Sequence, residues 1–179
     1  MGRLALKNPV LSILLVFIAA LAAICPTTFA ATAIGSMNNT VIIANNCTIS
    51  ATGFTTTYDP IVTNLSTDQN ITATVSTTCT IGAAVTITLG QGANADAGSS
   101  DAAPLRRLSN GAGTPTYLSY AFYANSSRSV TWGNTLATGV ASIGTGAAVP
   151  VTVYARIPMN QSGAKPGTYT DTVVATVTY

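Results

Sequence analysis

The cysteines are the residues of this sequence whose chemistry is easiest to assign, and there are three of them, Cys25, Cys47 and Cys79. Cys25 lies within a predicted N-terminal leader, so export would leave Cys47 and Cys79 as an even pair. In an exported chain such a pair is typical of a disulfide, which would stabilise the fold by about 3–4 kcal/mol. Two free thiols, or half of a metal site, are the alternatives, but there is no histidine to complete such a site. We therefore predict a disulfide between Cys47 and Cys79.

Side chains that could catalyse a reaction are scarce. The sequence has no histidine and no glutamate, so it offers no Ser–His or Cys–His pair and no imidazole base or metal ligand. Asp96 and Asp101 lie in a Gly/Ser-rich loop and could contact calcium, although solvated loop carboxylates are the favoured interpretation. Arg106 and Arg107 could bind an anion, but we favour one of them binding carbonyl oxygens or an aromatic ring while the other faces water. We predict that the chain is not an enzyme and that it takes no metal, cofactor or small-molecule substrate.

Residues 1–30 have the pattern of a secretory signal peptide. Arg3 and Lys7 precede an apolar run, and small residues lead to a cleavage site after Ala30. A membrane anchor is the alternative, although the run is short for a full span. A lipoprotein site at Cys25 is disfavoured because a bulky residue precedes it. The leader predicts export.

Cleavage would leave residues 31–179 electrically balanced. Two of the seven basic residues lie in the leader, so five remain against five aspartates. No basic surface for nucleic acid is left. The length suits one domain, and low charge with abundant Thr, Ala, Ser, Gly and Asn suits an extracellular β-protein packed among neighbours.

Apolar and polar residues alternate with a period of two through several segments, and no segment has a sustained helical period. Clear examples are residues 71–81, 85–89 and 149–157, separated by turn residues. We predict that the first two are adjacent strands of a hairpin, and that the disulfide joins the strand ending at Cys79 to an opening strand at Cys47. Roughly seven or eight short strands indicate an all-β protein, an antiparallel immunoglobulin-like β-sandwich.

The last segment, residues 166–179, has the most regular strand pattern. It starts at a Pro-Gly turn, and Asp171 is its one charge, close to the turn, where a strand end can stay wet. The remaining inward positions form an apolar row that needs a covering neighbour: Tyr169, Val173, Ala175, Val177 and Tyr179.

A second alternating row precedes the domain, in residues 31–46. Its apolar or small members are Ala33, Gly35, Met37, Val41 and Ile43, with a polar gap at Asn39. At full stretch the segment would span up to roughly 50 Å, more than a small domain needs for its first strand. It is either a frayed terminus or a strand meant for another molecule.

An ordered set of short motifs resembles the spore coat protein U domain family. The resemblance covers about residues 40–179 and ends at the family's terminus. The matching pieces are residues 47–50, 58–60, 79, 106–111, 118–120, 132–133, 153–158 and 166–173. This domain is used by pilus subunits of the archaic chaperone–usher pathway and by proteins described as spore coat components.

The resemblance implies an incomplete, pilin-type sandwich that lacks one strand. A periplasmic chaperone fills the gap, and an outer-membrane usher then exchanges it for the N-terminal extension of a neighbouring identical or related subunit. On this basis residues 31–46 are the candidate donor strand, residues 47–179 the domain, and the row in residues 169–179 borders the acceptor groove. The implied function is a pilus subunit that serves adhesion and biofilm formation.

Two other structural functions remain open at this stage. The chain could be a spore coat or cell-envelope protein of the same fold that packs laterally without strand exchange. A tip adhesin is disfavoured by the size of the chain, because a tip subunit is expected to carry an extra binding domain.

Overall fold

A computed structural model of the chain describes residues 29–111 and 113–179. Residues 1–28 of the predicted leader lie outside this range. The chain divides into two compact units, Met1–Val41 and Ile42–Tyr179. In the first unit, residues 29–41 contain no helix or strand and their side chains are exposed. No helix among the described residues is long and apolar enough to cross a membrane.

The second unit is nearly all β. The described residues form eight strands: β1 (Cys47–Thr52), β2 (Gln69–Cys79), β3 (Ala84–Leu89), β4 (Arg106–Ser109), β5 (Tyr117–Tyr123), β6 (Val140–Ile143), β7 (Ala148–Ile157) and β8 (Ala175–Thr178). Thr, Val, Ile and Tyr dominate them, as expected for side chains that suit a pleated surface. The short helix α1 (Thr63–Ser66) and a 3₁₀ turn (Leu136–Thr138) are the helical elements described.

Two antiparallel sheets face each other. One is five-stranded, in the order β1-β2-β7-β5-β4, and the other is three-stranded, in the order β6-β3-β8. Strand β7 lies between β2 and β5, and its register pairs Val153 with Ala73 and Ala155 with both Ile71 and Phe122. Alternate side chains of each sheet point into the shared core, which gives the predicted sandwich.

The predicted hairpin of β2 and β3 is wrong, because the two strands belong to different sheets. The connection between them turns at Gly82, which has φ 81°. Backbone bonds from Gly82 N–H to Gly144 O, at 2.8 Å, and from Gly146 N–H to Cys79 O, at 3.0 Å, hold this turn against the loop after β6. The apolar rows of β2 and β3 therefore face each other across the core. A period of two identifies a half-buried strand, but it does not distinguish a neighbour in the same sheet from one in the opposite sheet.

Trp132 connects the two sheets inside the core. Its side chain is completely buried, and its indole N–H donates to Ile87 O at 2.9 Å. Its backbone N–H donates to Phe122 O in one sheet, while Gly133 O accepts from Leu89 N–H in the other. Residues 130–133 therefore form a single bridge, between Thr131 and Tyr123, and no strand, because this stretch bonds to both sheets instead of extending either.

The predicted disulfide is confirmed. Cys47 and Cys79 are bonded and are register partners at the start of β1 and the end of β2. Cys79 is buried and packs with Ala83 and Val85 in a small apolar cluster. The bond therefore fixes the opening strand to the edge of the larger sheet.

Replacing either cysteine, by Cys47→Ser or Cys79→Ser, should lower the free energy of unfolding by about 3 kcal/mol, because the closed loop no longer restricts the unfolded chain. Urea unfolding of the exported protein measures this change. Reduction of the unmutated protein is the matched control and should lower its midpoint to that of the variants. Equal midpoints for the oxidised protein and the variants would contradict a stabilising disulfide.

Candidate functional site: an apolar groove at the sheet edges

A groove of about 1340 Å³ opens into the core of the described domain. One wall is formed by residues 51–61, which are the end of β1 and the segment after it, and the other by residues 164–173 with Ala175. Its floor consists of core side chains from both sheets: Ala73, Val75, Leu89, Leu108, Leu118, Tyr120, Phe122, Val153 and Ile157. The groove is therefore an opening of the sandwich onto its own interior rather than a cleft added to its surface.

The wall before β8 uses its backbone on one side only. Thr170 exchanges two hydrogen bonds with Ser109, Thr172 O accepts from Ala93 N–H and Val174 O accepts from Gly90 N–H. In an extended chain, the backbone groups of alternate residues point to opposite edges. The N–H and C=O groups of the intervening Asp171 and Val173 make no hydrogen bond with any described residue. β8 itself pairs with β3 on one edge and carries no ladder on the other.

The opposite wall also lacks a partner strand. β1 pairs with β2 alone, and its ladder stops at Thr52. Residues 53–58 make no backbone–backbone hydrogen bond within the described chain. Two unpaired backbone edges therefore flank an apolar floor, which is the geometry that accepts an added β-strand.

Asp171 is not a wet strand end, as expected from the sequence, but a half-buried hydrogen-bond centre of this wall. Its Oδ1 accepts from the backbone N–H groups of Ala93 at 2.9 Å and Asn94 at 3.2 Å. Its Oδ2 accepts from the Tyr120 hydroxyl at 2.7 Å. Burial, and then this hydrogen bond, raise the pKa of Tyr120, so the hydroxyl keeps its proton and acts as the donor.

The groove carries charge at two further positions, Asp59 and Lys165. The carboxylate of Asp59 accepts from the backbone N–H groups of Ile61 at 3.0 Å and Val62 at 3.1 Å. These hydrogen bonds, first from Ile61 and then from Val62, lower the pKa of Asp59. Both charged residues lie in turns, whereas Asp171 lies within the unpaired wall.

The row predicted in the last segment is only partly inward. Tyr169, Val173 and Ala175 are half-buried and line the groove. Val177 is half-buried against the cluster around the disulfide. Tyr179 was expected to be inward but is 53% exposed. The strand is also shorter than predicted, because residues 170, 172 and 174 bond to Ser109, Ala93 and Gly90, which do not belong to one continuous strand.

The candidate donor row is exposed throughout. Ala33, Gly35, Met37, Val41 and Ile43 all lie in a stretch without regular secondary structure. The exposed fractions of Met37 and Val41 are 82% and 88%. Their assignment as a donor strand stays a prediction.

Comparison with known proteins identifies the family. The sequence model of the Spore Coat Protein U domain matches residues 33–176. The chain belongs to this family. It is also 45% identical, over 157 residues, to Protein U of Myxococcus xanthus, with 84% of this chain and 87% of that protein covered.

Comparison with solved structures gives two matches to this Spore Coat Protein U domain, the first of which shares its fold. One is a chain in the CsuC–CsuE chaperone–tip adhesion subunit pre-assembly complex from archaic chaperone–usher Csu pili of Acinetobacter baumannii, with a TM-score of 0.54 and 17% identity. The alignment covers 76% of this chain but only 40% of that one. The other, the minor tip subunit HdaB of the E. coli Hda pilus, has a TM-score of 0.37 and 19% identity over 74% of this chain and 79% of its own. The first comparison confirms the immunoglobulin-like, pilin-type fold.

Arg106 holds the floor of the groove together in this family member. Its side chain is 1% exposed, and it donates to Gly90 O at 2.8 Å, Leu89 O at 2.7 Å and Trp132 O at 3.0 Å. The guanidinium also lies 5.0 Å from the ring centroid of Phe122. Burial lowers its pKa to about 10, still well above neutrality, so the charge persists. The prediction that one arginine binds carbonyl oxygens is confirmed.

Arg107 does not simply face water, as was expected of the second arginine. It forms an ion pair of 2.8 Å with Asp96, and its guanidinium lies 4.1 Å from the ring centroid of Tyr117. It also donates to Asn94 O at 3.1 Å and to Ala95 O at 3.2 Å, so both arginines bind carbonyl oxygens. Asp101 accepts from side-chain amides of Gln91 and Asn134. No three potential metal ligands among the described residues form a cluster.

Sequence reasoning missed the contacts that shape the groove, which join residues far apart in the chain. The Tyr58 hydroxyl donates to Pro158 O at 2.7 Å, and Tyr120 meets Asp171 across the groove floor. Leu118, Tyr120 and Phe122 are apolar or aromatic at every second position, which indicates that the ring of Tyr120 points inward. Nothing in the sequence indicates which residue its hydroxyl meets.

Arg106→Met should lower the free energy of unfolding by about 3 kcal/mol, because buried carbonyl oxygens would lose their charged donor. Arg107→Met is the matched control and should cost clearly less, since Arg107 is partly exposed and water can replace it at the carbonyl oxygens and the carboxylate that it binds. Urea unfolding of both variants measures the difference. Equal losses in the two variants would show that Arg106 does not have this role.

Proposed function

We propose that the chain is an exported structural subunit of a surface pilus, whose groove is completed by a β-strand from another polypeptide. The observation that carries this proposal is the groove itself, an apolar floor between two edges of unpaired backbone. An inserted strand would pair with the backbone of Asp171 and Val173 and cover the floor. Each backbone hydrogen bond gained would contribute roughly 0.5–1.5 kcal/mol, in addition to the burial of apolar area.

The proposed donor is the N-terminal extension of a neighbouring subunit. Residues 31–46 supply an alternating apolar row, and their exposed side chains are free to enter the groove of another copy. Before assembly, a periplasmic chaperone would supply the covering strand, and an outer-membrane usher would be the place of exchange. The fold shared with a chain of a chaperone–tip adhesion subunit complex supports the choice of these partners.

Export to the cell surface, and a role in adhesion and biofilm formation, are part of the same proposal. The predicted leader, the disulfide and the balanced charge of residues 31–179 support export. A strand-linked fibre built from such subunits would serve as an attachment structure. The proposed role is structural rather than enzymatic.

A second candidate is a coat or envelope structural protein that packs without strand exchange. It is favoured by the description of the family model that matches residues 33–176, the Spore Coat Protein U domain. The 45% identity to Protein U of Myxococcus xanthus extends over most of both chains. In that case the chain would be secreted as a stable monomer, with no need for a chaperone.

Deleting residues 31–41 should leave a chaperone-bound subunit that does not polymerise, because the neighbouring groove receives no donor strand. Electron microscopy of the cell surface, together with co-purification of the chaperone, measures both parts. Replacement of the same residues by a Gly/Ser segment of equal length is the control for spacing and should also prevent assembly. Normal fibres from the deleted chain would contradict strand exchange, and a stable secreted monomer would favour the coat protein.

A further inference from the structure

The N-terminal row has one polar position, Asn39. It lies between Met37 and Val41 in the series that enters the groove under the proposed function, and its neighbours Asn38 and Thr40 belong to the other face. An amide carried into an apolar groove needs a hydrogen-bond partner, because an unpaired buried amide is costly. The groove must therefore offer an acceptor at the matching position.

Asp171 is such an acceptor. It is half-buried in the unpaired wall between Tyr169 and Val173, and it lines the groove. Its Oδ2 accepts one described hydrogen bond, from Tyr120, and a carboxylate oxygen can accept two. The other carboxylate of the groove, Asp59, binds the backbone N–H groups of Ile61 and Val62 and lies outside the unpaired wall of residues 164–175, so an inserted strand that pairs with this wall does not bring Asn39 opposite it.

We infer that Asn39 of one copy lies opposite Asp171 of the next and donates its amide N–H to Asp171 Oδ2, which fixes the register of the donor strand. This inference rests on the proposed function. With Asn39 at this position, the row from Ala33 to Ile43 lies along residues 165–175 if the strands are parallel and along residues 167–177 if they are antiparallel. Either range covers most of the wall that lines the groove.

Other registers are disfavoured on the same grounds. A shift by one residue would turn the more polar face, with Ser36 and Asn38, into the groove. A shift by two would place the Asn39 amide against Tyr169 or Val173 and would cover the Asp171 carboxylate with an apolar side chain. The polar gap in the row thus becomes its specificity determinant, selecting a second copy of this chain over a uniformly apolar strand.

The test compares assembly of purified full-length variants by sedimentation. Asn39→Asp would bring two carboxylates together in a poorly solvated groove, so the apparent association constant should fall at least tenfold. Asn38→Asp is the matched control on the other face and should change it by less than about threefold. Equal effects of the two substitutions would overturn the inference.

A rescue experiment distinguishes direct pairing of Asn39 with Asp171 from a general cost of placing a charge in the groove. The double variant Asn39→Asp with Asp171→Asn restores an amide opposite a carboxylate, and it should recover assembly to within about threefold of the unmutated chain. Asn39→Asp with Asp59→Asn is the control and should remain defective. Failure of the first to recover, or recovery of the second, would overturn the proposed register.

Two further variants leave the domain untouched, in case Asp171→Asn fails to fold. Asn39→Lys would place a cation opposite the carboxylate, so it should assemble at least tenfold better than Met37→Lys, whose cation meets apolar side chains. Equal assembly of the two lysine variants would overturn the register. If deletion of residues 31–41 leaves assembly intact, the proposed function is wrong. If the deletion blocks assembly but each variant assembles as well as its matched control, the proposed register alone is wrong.

Discussion

Backbone polar groups that leave water must be paired, and this requirement governs the domain. Residues 170–174 satisfy it on one side, through Ser109 and residues 90–93, and leave it unsatisfied on the side of the groove. The same edge borders core side chains that a closed sandwich would cover. One missing strand therefore accounts for both the unpaired backbone and the accessible interior. The two sheets are fully paired inside, and the sandwich is open at the groove.

Arg106 holds the floor of the groove in place without a covering strand. Three backbone carbonyls from two segments, residues 89–90 and Trp132, converge on its guanidinium. A charged donor with several N–H groups in fixed geometry can join such segments where an aliphatic side chain could only fill space. The apolar floor of the groove is therefore held in place by the hydrogen bonds of Arg106 to the carbonyl oxygens beneath it.

Much of the fold could be predicted from the sequence, because period-two alternation reports which side chains are buried. The row ending at Ile157 was predictable in this way, and the even pair Cys47 and Cys79 predicted the disulfide that joins β1 to β2. The pairing of β2 with β7 rather than with β3 was not predictable, since alternation carries no information about which sheet a strand joins. The exposure of Tyr179, which follows the last residue of β8, was not predictable either. The contacts that shape the groove could not be predicted from the sequence for a related reason. It depends on Asp171 and Tyr120, which only the tertiary fold brings together.

The single tryptophan of the sequence is completely buried at the junction of the two sheets. Its backbone carbonyl accepts from Arg106, and its indole N–H is held by Ile87 at the centre of the smaller sheet. Phe122 and Leu89, which bond to the same stretch of backbone, also form part of the groove floor. Trp132 is thus a built-in optical probe: its fluorescence reports on the packing beneath the groove floor, so vacancy and occupancy of the groove become distinguishable in solution without an added label.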